Sequence, residues 1–526
     1  MAVPRRRPGT RSSWHLPVIL GILAVAALAA GLVVAGVDRG SGSQRDARIG
    51  SAGGPAGSGT DAGTPPRRAN IVFILTDDLS MDLLPFMPQL QALEAHGMTF
   101  NDYFVSDSLC CPSRSSIFTG LFPHDSGVFG NVGPNGGIRA FFTHGDEYHT
   151  FNLALQEAGY ETAMMGKYLN GYLDPRQSPV SDTFVPPGWN EWDVAGDGYA
   201  EFNYQLNENG TLHYYGDDPD DYLTDVLAER ADDFIRRAAQ GQKPFFLEVA
   251  TFAPHRPYTP APRYADAFAG ITAPEPPNFD VLPTNPPEWL AGHPPLTAGQ
   301  IQEINEAFQR RVEDVQSVDN LISSIENSLA AHDMLNNTYI VFSSDNGLHT
   351  GEYRLMPGKL TAFDTDIHVP LVIAGPGVAP GSSTDAMTEN IDLAETFSEI
   401  GGTTLAGDGH SLTTLLEGQH PADWRNAILV EHHGPDYGSN DPDAQNFDSG
   451  NPTTYEAMRT PDFLYVEYAD GEKEFYDLKT DPYELDNIAD YLNPTELALL
   501  HRELLALEHC HGESECWAAA HVAPGP

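Results

Sequence analysis

The chain has 526 residues, 41% of them hydrophobic and 10% aromatic, which is the balance of a folded globular protein and excludes a disordered chain. That length predicts two or more domains, or one large α/β domain with a smaller companion. Lys+Arg 28 against Asp+Glu 74 gives a net charge of −46, the opposite of a nucleic-acid binder, so a pocket for an anion must overcome the field with local cations.

At the N-terminus, Arg5, Arg6, Arg7 and Arg11 precede an apolar run from Leu16 to Val37 that is long enough to cross a bilayer. The basic flank predicts that everything after the run lies outside the cytoplasm. Residues 1–37 read as an uncleaved anchor, which the length of the run favours, or as a signal peptide with Ala27-Leu28-Ala29 as its cleavage site. Residues 38–68, rich in Gly and Ser, read as a disordered tether. The chain is therefore expected to be extracytoplasmic, anchored or secreted, and to touch a membrane only through this segment.

From Ala69 to about residue 400 the texture is that of a large α/β domain. Ile71–Leu75 is a continuous apolar run, as expected of a strand buried on both faces, and it ends in Thr76-Asp77-Asp78. Further strands are predicted at Glu161–Met165, running into Gly166-Lys167, and at Phe245–Ala250, leading to Pro254-His255. Two more are predicted at Thr338–Phe342, running into Asp345-Asn346, and at Val369–Ala374. Open α/β sheets place their sites at the carboxyl ends of strands, and three carboxylates with one amide are hard oxygen ligands suited to Ca²⁺ or Mg²⁺. Between them, Gln300–Leu329 carries apolar residues at three- and four-residue spacing and reads as a core helix.

The stretch Ser108–Gly120, SLCCPSRSSIFTG, holds two adjacent cysteines. Pro112 suits the first turn of a helix, which would place Cys110 just before its partly positive end, with Arg114 one turn in as an anion donor. Two readings of the residues stand: a reactive thiol of lowered pKa, or a buried cysteine pair.

Residues 401–526 read as a smaller α+β domain with an antiparallel sheet. Strands are predicted at Ala427–Glu431 and in a hairpin, Phe463–Tyr468 and Glu474–Leu478, turned at Asp470-Gly471. A helix is predicted over Pro494–Leu507 with Asn493 as its N-cap. Residues 435–454 read as a mobile loop and a candidate substrate-side lid, and Glu431-His432-His433 either faces a cleft or merely ends a strand. Cys510 and Cys516 are expected to form a local disulfide in an oxidising compartment.

The segment from Cys110 to Gly120 resembles the signature of the type I sulfatases, C-x-P-S-R-x-x-x-[LF]-T-G, at every specified position. Asn70–Asp78, Gly166-Lys167-Tyr168, Pro254-His255, Ser344–His349 and Gly358-Lys359 resemble further blocks of that family, in order. The resemblance implies an alkaline-phosphatase-like fold with a mostly parallel mixed sheet. It also implies hydrolysis of a sulfate ester through a formylglycine, made from Cys110 by a formylglycine-generating enzyme, whose hydrate attacks sulfur. By resemblance, Asp77, Asp78, Asp345, Asn346 and the modified Cys110 would hold one divalent cation, most often Ca²⁺ in such enzymes, with Mg²⁺ as the other choice. Cys110, Arg114, Lys167, His255 and Lys359 would be catalytic, and Lys167, His255, Lys359, His349 and Asn170 would bind substrate.

The chain departs from many sulfatases at Leu169, where they carry a histidine; its Gly166-Lys167-Tyr168-Leu169-Asn170 string is similar to that of glucosamine-6-sulfatases and extracellular heparan-type sulfatases. The expected substrate is therefore a sulfated sugar such as a glucosamine 6-sulfate. Two alternatives stay open: a phosphodiesterase or phosphonate monoester hydrolase of the same superfamily, and a surface binding protein with a dead site.

Overall fold

Apolar alternation decides the centre of the molecule. In strand β1 (Asn70–Thr76), Ile71, Phe73 and Leu75 face one core while Val72 and Ile74 face another, and all seven residues are buried. Such a strand must be covered on both sides, which is the condition of a parallel sheet flanked by helices. The computed structural model describes residues 68–435, 441 and 443–526. The expected anchor lies outside those residues, as does the tether up to residue 67. Among the described residues no helix is long and apolar enough to cross a membrane.

The other strands of the large domain are β2 (Met98–Phe100), β3 (Tyr103–Phe104), β4 (Glu161–Lys167), β5 (Glu191–Ala195), β6 (Gln205–Glu208) and β7 (Thr211–Tyr214). They continue with β8 (Phe245–Ala250), β9 (Thr338–Ser344), β10 (Leu371–Ala374), β11 (Ser382–Thr384) and β12 (Thr388–Glu389). Ten of them form one sheet in the order β11-β2-β10-β9-β1-β8-β4-β5-β6-β7, with β3 and β12 as a separate parallel pair. The five strands β9-β1-β8-β4-β5 run parallel, while β10 and β6 pair antiparallel at the two flanks. The mixed, mostly parallel sheet is therefore as expected. Strand β10 starts two residues later than predicted, because Val369 bonds to the Tyr103 carbonyl instead of joining the ladder.

The long helix covers Ala298–Ala331 and lays Ile304, Phe308, Val312, Val315, Val318, Ile322 and Ile325 against one face of the sheet. It begins two residues before the predicted Gln300, because Thr297 and Gln300 form a capping box that fixes its start. The opposite face of the sheet carries the Cys110–Thr119 helix, buried along its whole length.

The C-terminal strands β13 (Ile428–His432), β14 (Tyr455–Arg459), β15 (Phe463–Tyr468) and β16 (Lys473–Asp477) form an antiparallel meander. One face of this sheet (Ile428, Val430, Ala457, Val466) joins the same core as Ile71 and Phe73. The other face packs on the Pro494–Glu508 helix, whose N-cap Asn493 makes a full capping box with Glu496. The described residues are accordingly one compact unit. Cys510 and Cys516 are disulfide-bonded and sit in the core under that helix.

Candidate active site

Four parallel strands end side by side. The register pairs Thr76 with Ser344, Leu75 with Ala250, and Gly166 with Ala250, so the carboxyl ends of β9, β1, β8 and β4 are level. Asp345-Asn346, Asp77-Asp78, His255 and Lys167 therefore emerge along one edge. Two backbone features make the edge tight. Asp78 has φ 63°, a left-handed conformation that Asp tolerates better than most residues. Gly166 has φ 94°, and a Cβ there would sit 1.9 Å from the Ala250 carbonyl oxygen. Only glycine can precede Lys167 at this close strand approach.

The Cys110–Thr119 helix delivers the cysteine and the arginine. It begins at Cys110 itself, with Leu109 as N-cap, not at Pro112 as the sequence suggested. It needs no propensity of its own, because tertiary packing buries all ten residues. Phe118 rests on Tyr168 at 5.4 Å between ring centroids, which ties the helix to the end of β4. Cys111 is core: its N–H donates to Asn131 Oδ1 at 2.9 Å, and burial pushes its thiol up to about 12.

Cys110 Sγ donates to Asp77 Oδ1 at 3.2 Å and lies 2.9 Å from Lys359 Nζ. Lys359 Nζ also lies 2.6 Å from Asp78 Oδ1, and Lys167 Nζ lies 2.5 Å from Asp77 Oδ2. Arg114 Nε donates to Asp345 Oδ2 at 2.8 Å. His255 Nε2 stands 3.6 Å from Asp78 Oδ2. All of these side chains are buried, so each charge needs its partner.

The electrostatics follow from that crowding. Burial would raise the Asp77 carboxyl, but Lys167, His255, Arg114 and Lys359 together hold it well below the usual range. Burial opposes a charge on Lys167 and Lys359, and their carboxylate neighbours overcome it, holding both well above the usual lysine value. The imidazole of His255 is raised in the same way, against burial, by Asp443, Asp78 and Asp77. Cys110 goes the other way. Burial, then Asp345, Asp443 and Asp77, push its thiol well above the ordinary value. The reactive low-pKa thiol is thus corrected: the helix start and the lysines do not outweigh a buried acidic nest, and the unmodified side chain is a protonated thiol.

The donor set fits a hard divalent cation. Ligand atoms of Asp77, Asp78, Cys110 and His255 lie within 4.8 Å of one another. Asn346 Nδ2 donates to Asp78 Oδ1 at 2.7 Å, while its Oδ1 is buried and has no hydrogen-bond partner among the described residues. An orphaned amide oxygen beside carboxylates is what a Ca²⁺- or Mg²⁺-binding shell requires.

Two expected residues sit differently. Asn170 borders the cluster and lines the adjoining cleft, a cavity of about 1020 Å³ that also includes Tyr199 and Arg256. His349 has both ring nitrogens engaged: its Nδ1 lies 3.0 Å from both Asp366 carboxylate oxygens and its Nε2 is 3.1 Å from the Ser449 carbonyl, while its backbone pairs with Gly358, next to Lys359. Of the Glu431-His432-His433 run, Glu431 pairs with His124 at 2.9 Å, and His433 stacks on Phe129 at 3.7 Å between centroids.

Three residues missed in the sequence belong here. Tyr199 lies under Lys167, with the Nζ 5.0 Å from the ring centroid, and its ring centroid is 4.6 Å from that of His255. Asp443 bonds His255 Nε2 and lies 3.0 Å from Lys359 Nζ. Asn131 Nδ2 donates to Asp443 Oδ2 at 2.7 Å. Only the neighbouring Asp441 and Asp443, in a loop rich in polar residues, carried a hint of acid.

At this sheet edge Arg114, Lys167, His255 and Lys359 meet a nest of buried carboxylates around Cys110. The chain belongs to the sulfatase family: the family model described as Sulfatase matches residues 69–403, and the one described as N-sulphoglucosamine sulphohydrolase, C-terminal, matches residues 351–509. It is 36% identical over 484 residues to the N-acetylglucosamine-6-sulfatase of Homo sapiens, covering 86% of each chain. It is 34% identical over 380 residues to the extracellular sulfatase SULF-1 homolog of Drosophila melanogaster, covering 70% of this chain and 33% of that one. Among solved structures, BT4656 in complex with its substrate D-glucosamine-2-N,6-O-disulfate superposes with a TM-score of 0.69 at 24% identity, covering 84% of this chain and 97% of that one.

Proposed function

We propose that this sulfatase hydrolyses the 6-sulfate ester of a glucosamine residue in a sulfated glycan. The observation that carries the reading is the convergence of Lys167, His255, Lys359 and Arg114 on the carboxylate nest around Cys110, in a chain whose net charge is −46. The 36% identity to N-acetylglucosamine-6-sulfatase over most of both chains supports glucosamine as the sugar.

In this reading Asp77, Asp78, Asp345, Asn346 and the oxidised Cys110 would hold one hard divalent cation, Ca²⁺ as in most relatives or Mg²⁺. When bound, that cation neutralises the sulfate and acidifies a hydroxyl beside it. A formylglycine-generating enzyme would convert Cys110, whose protonated thiol is a poor nucleophile as it stands. Arg114 orients the new group through its fixed bond to Asp345. Lys167 and Lys359 bind sulfate oxygens. His255, held with a raised pKa, carries the proton for the leaving sugar oxygen. Asn170, which lines the cleft, binds the substrate. Folding outside the cytoplasm, as the N-terminal residues predict, gives the Cys510–Cys516 disulfide its oxidising compartment.

The test is release of inorganic sulfate from N-acetylglucosamine 6-sulfate, together with the mass of the tryptic peptide 69–114. Turnover and an aldehyde at Cys110 are the expected results; a purified protein that carries the aldehyde but releases no sulfate would sink the substrate assignment.

A further inference from the structure

We propose that Asp443 holds the place of the substrate's sulfate group, in an anion subsite made by His255, Lys359, Asn131 and Asn170, and that the sulfate ester must displace it. The inference rests on the sulfatase reading above and adds to it an internal competitor and one further substrate-binding residue, Asn131.

Four donors converge on this one buried carboxylate. Its Oδ1 accepts from His255 Nε2 and lies 3.0 Å from Lys359 Nζ. Its Oδ2 accepts from Asn131 Nδ2 at 2.7 Å and from Asn170 Nδ2 at 3.4 Å. The donors are aimed by bonds of their own. Asn131 Oδ1 accepts from the Cys111 N–H at 2.9 Å, which fixes the amide and turns its Nδ2 away from the helix. His255 Nδ1 lies 2.7 Å from the Arg256 carbonyl, which leaves Nε2 as the nitrogen that can meet a ligand, and Asp443 has it.

A sulfate ester presents the same chemistry as a carboxylate: negative oxygens that accept charge-assisted hydrogen bonds. Two anions in one buried nest repel strongly, so occupancy is exclusive. His255 and Lys359 are the groups assigned to the sulfate, and neither can reach it while Asp443 is in place. Displacement of a bound internal anion lowers apparent affinity by the fraction of molecules in which the subsite is free.

The probe is inorganic sulfate, titrated calorimetrically into the mature wild-type protein, Asp443→Asn, Asp443→Ala and Asp197→Asn. Asp197 lines the adjoining cleft, so its variant removes one charge nearby without vacating the subsite. Removing the competitor should tighten sulfate about tenfold or more in both Asp443 variants, and Asp197→Asn should change it less than about twofold. Adding Asn131→Ala to Asp443→Asn should reverse part of the gain, since sulfate then loses a donor. An unchanged or weakened sulfate constant in Asp443→Ala overturns the proposal, as does equal tightening in Asp197→Asn. Wild-type hydrolysis of N-acetylglucosamine 6-sulfate is followed in the same preparation. Its loss refutes the sulfatase reading, whereas turnover without the Asp443 effect refutes this inference alone.

Discussion

Lys359 Nζ lies 2.9 Å from Cys110 Sγ, although 249 residues separate them in the chain. The same ammonium is 2.6 Å from Asp78 Oδ1, so one buried cation links the helix that carries the cysteine to the strand end that carries the carboxylates. Cys110 is thus held by hydrogen bonds at its sulfur, whereas Cys111 is packed in the core, so the two adjacent cysteines have unlike surroundings.

Cys110→Ala should abolish sulfate release, by on the order of 10³-fold or more in kcat, with an unchanged circular dichroism spectrum. Cys111→Ala, which removes a small buried side chain from the core, should cost about 1 kcal/mol of stability and keep turnover. Equal activity loss in both variants would contradict the assignment of roles.

Treatment with a chelator should lower kcat/KM, and added Ca²⁺ should restore it, because Asp77, Asp78 and the orphaned Asn346 Oδ1 offer clustered oxygen ligands to a cation. Asn346→Ala should raise the Ca²⁺ concentration needed for half-maximal recovery. Full activity after exhaustive chelation would remove the ion from the mechanism.

Gly166→Ala should be severely destabilising, by about 2–4 kcal/mol, since its Cβ would overlap the Ala250 carbonyl at a positive φ. Because β4 would have to move away from β8, Lys167 should be displaced with it. Urea denaturation and KM, measured together, check both consequences.

His124 reads out in stability rather than turnover. Burial disfavours its charge, but the hydrogen bond and ion pair with Glu431 prevail and raise its pKa to about 9. A raised folded-state value stabilises fully below the unfolded value of about 6.5, and that stability is lost as pH climbs through about 9. The wild type should lose up to about 3 kcal/mol more than His124→Gln between pH 6.5 and 9.5, measured by denaturant midpoint. Parallel pH profiles for the two proteins would show that the pair contributes nothing.

Much of the site was legible because its residues sit where strands stop. Asp77-Asp78, Lys167, His255 and Asp345-Asn346 each follow an apolar run, and a parallel sheet must bring such ends to one edge. Strand β14 was not legible. Glu456, Ala457, Met458 and Arg459 are residues of good helix propensity, and they are extended because β13 and β15 pair with them on both sides. The partners of His349 were not legible either: Asp366 and Ser449, 17 and 100 residues away, meet its ring.

By itself, then, the sequence determined the class of fold, the family signature that begins at Cys110 and the acidic strand ends, since these depend on local pattern and on the order of strands. Only the tertiary structure decided the charge state of Cys110, because desolvation and the carboxylates around it come from distant segments. It also decided that Asp443 meets His255 across 188 residues of chain, from a stretch with no hydrophobic period to announce it. Periodicity encodes which residues are buried; it does not encode which polar groups from separate loops will share a buried site, and that is set by the packing that excludes water around them.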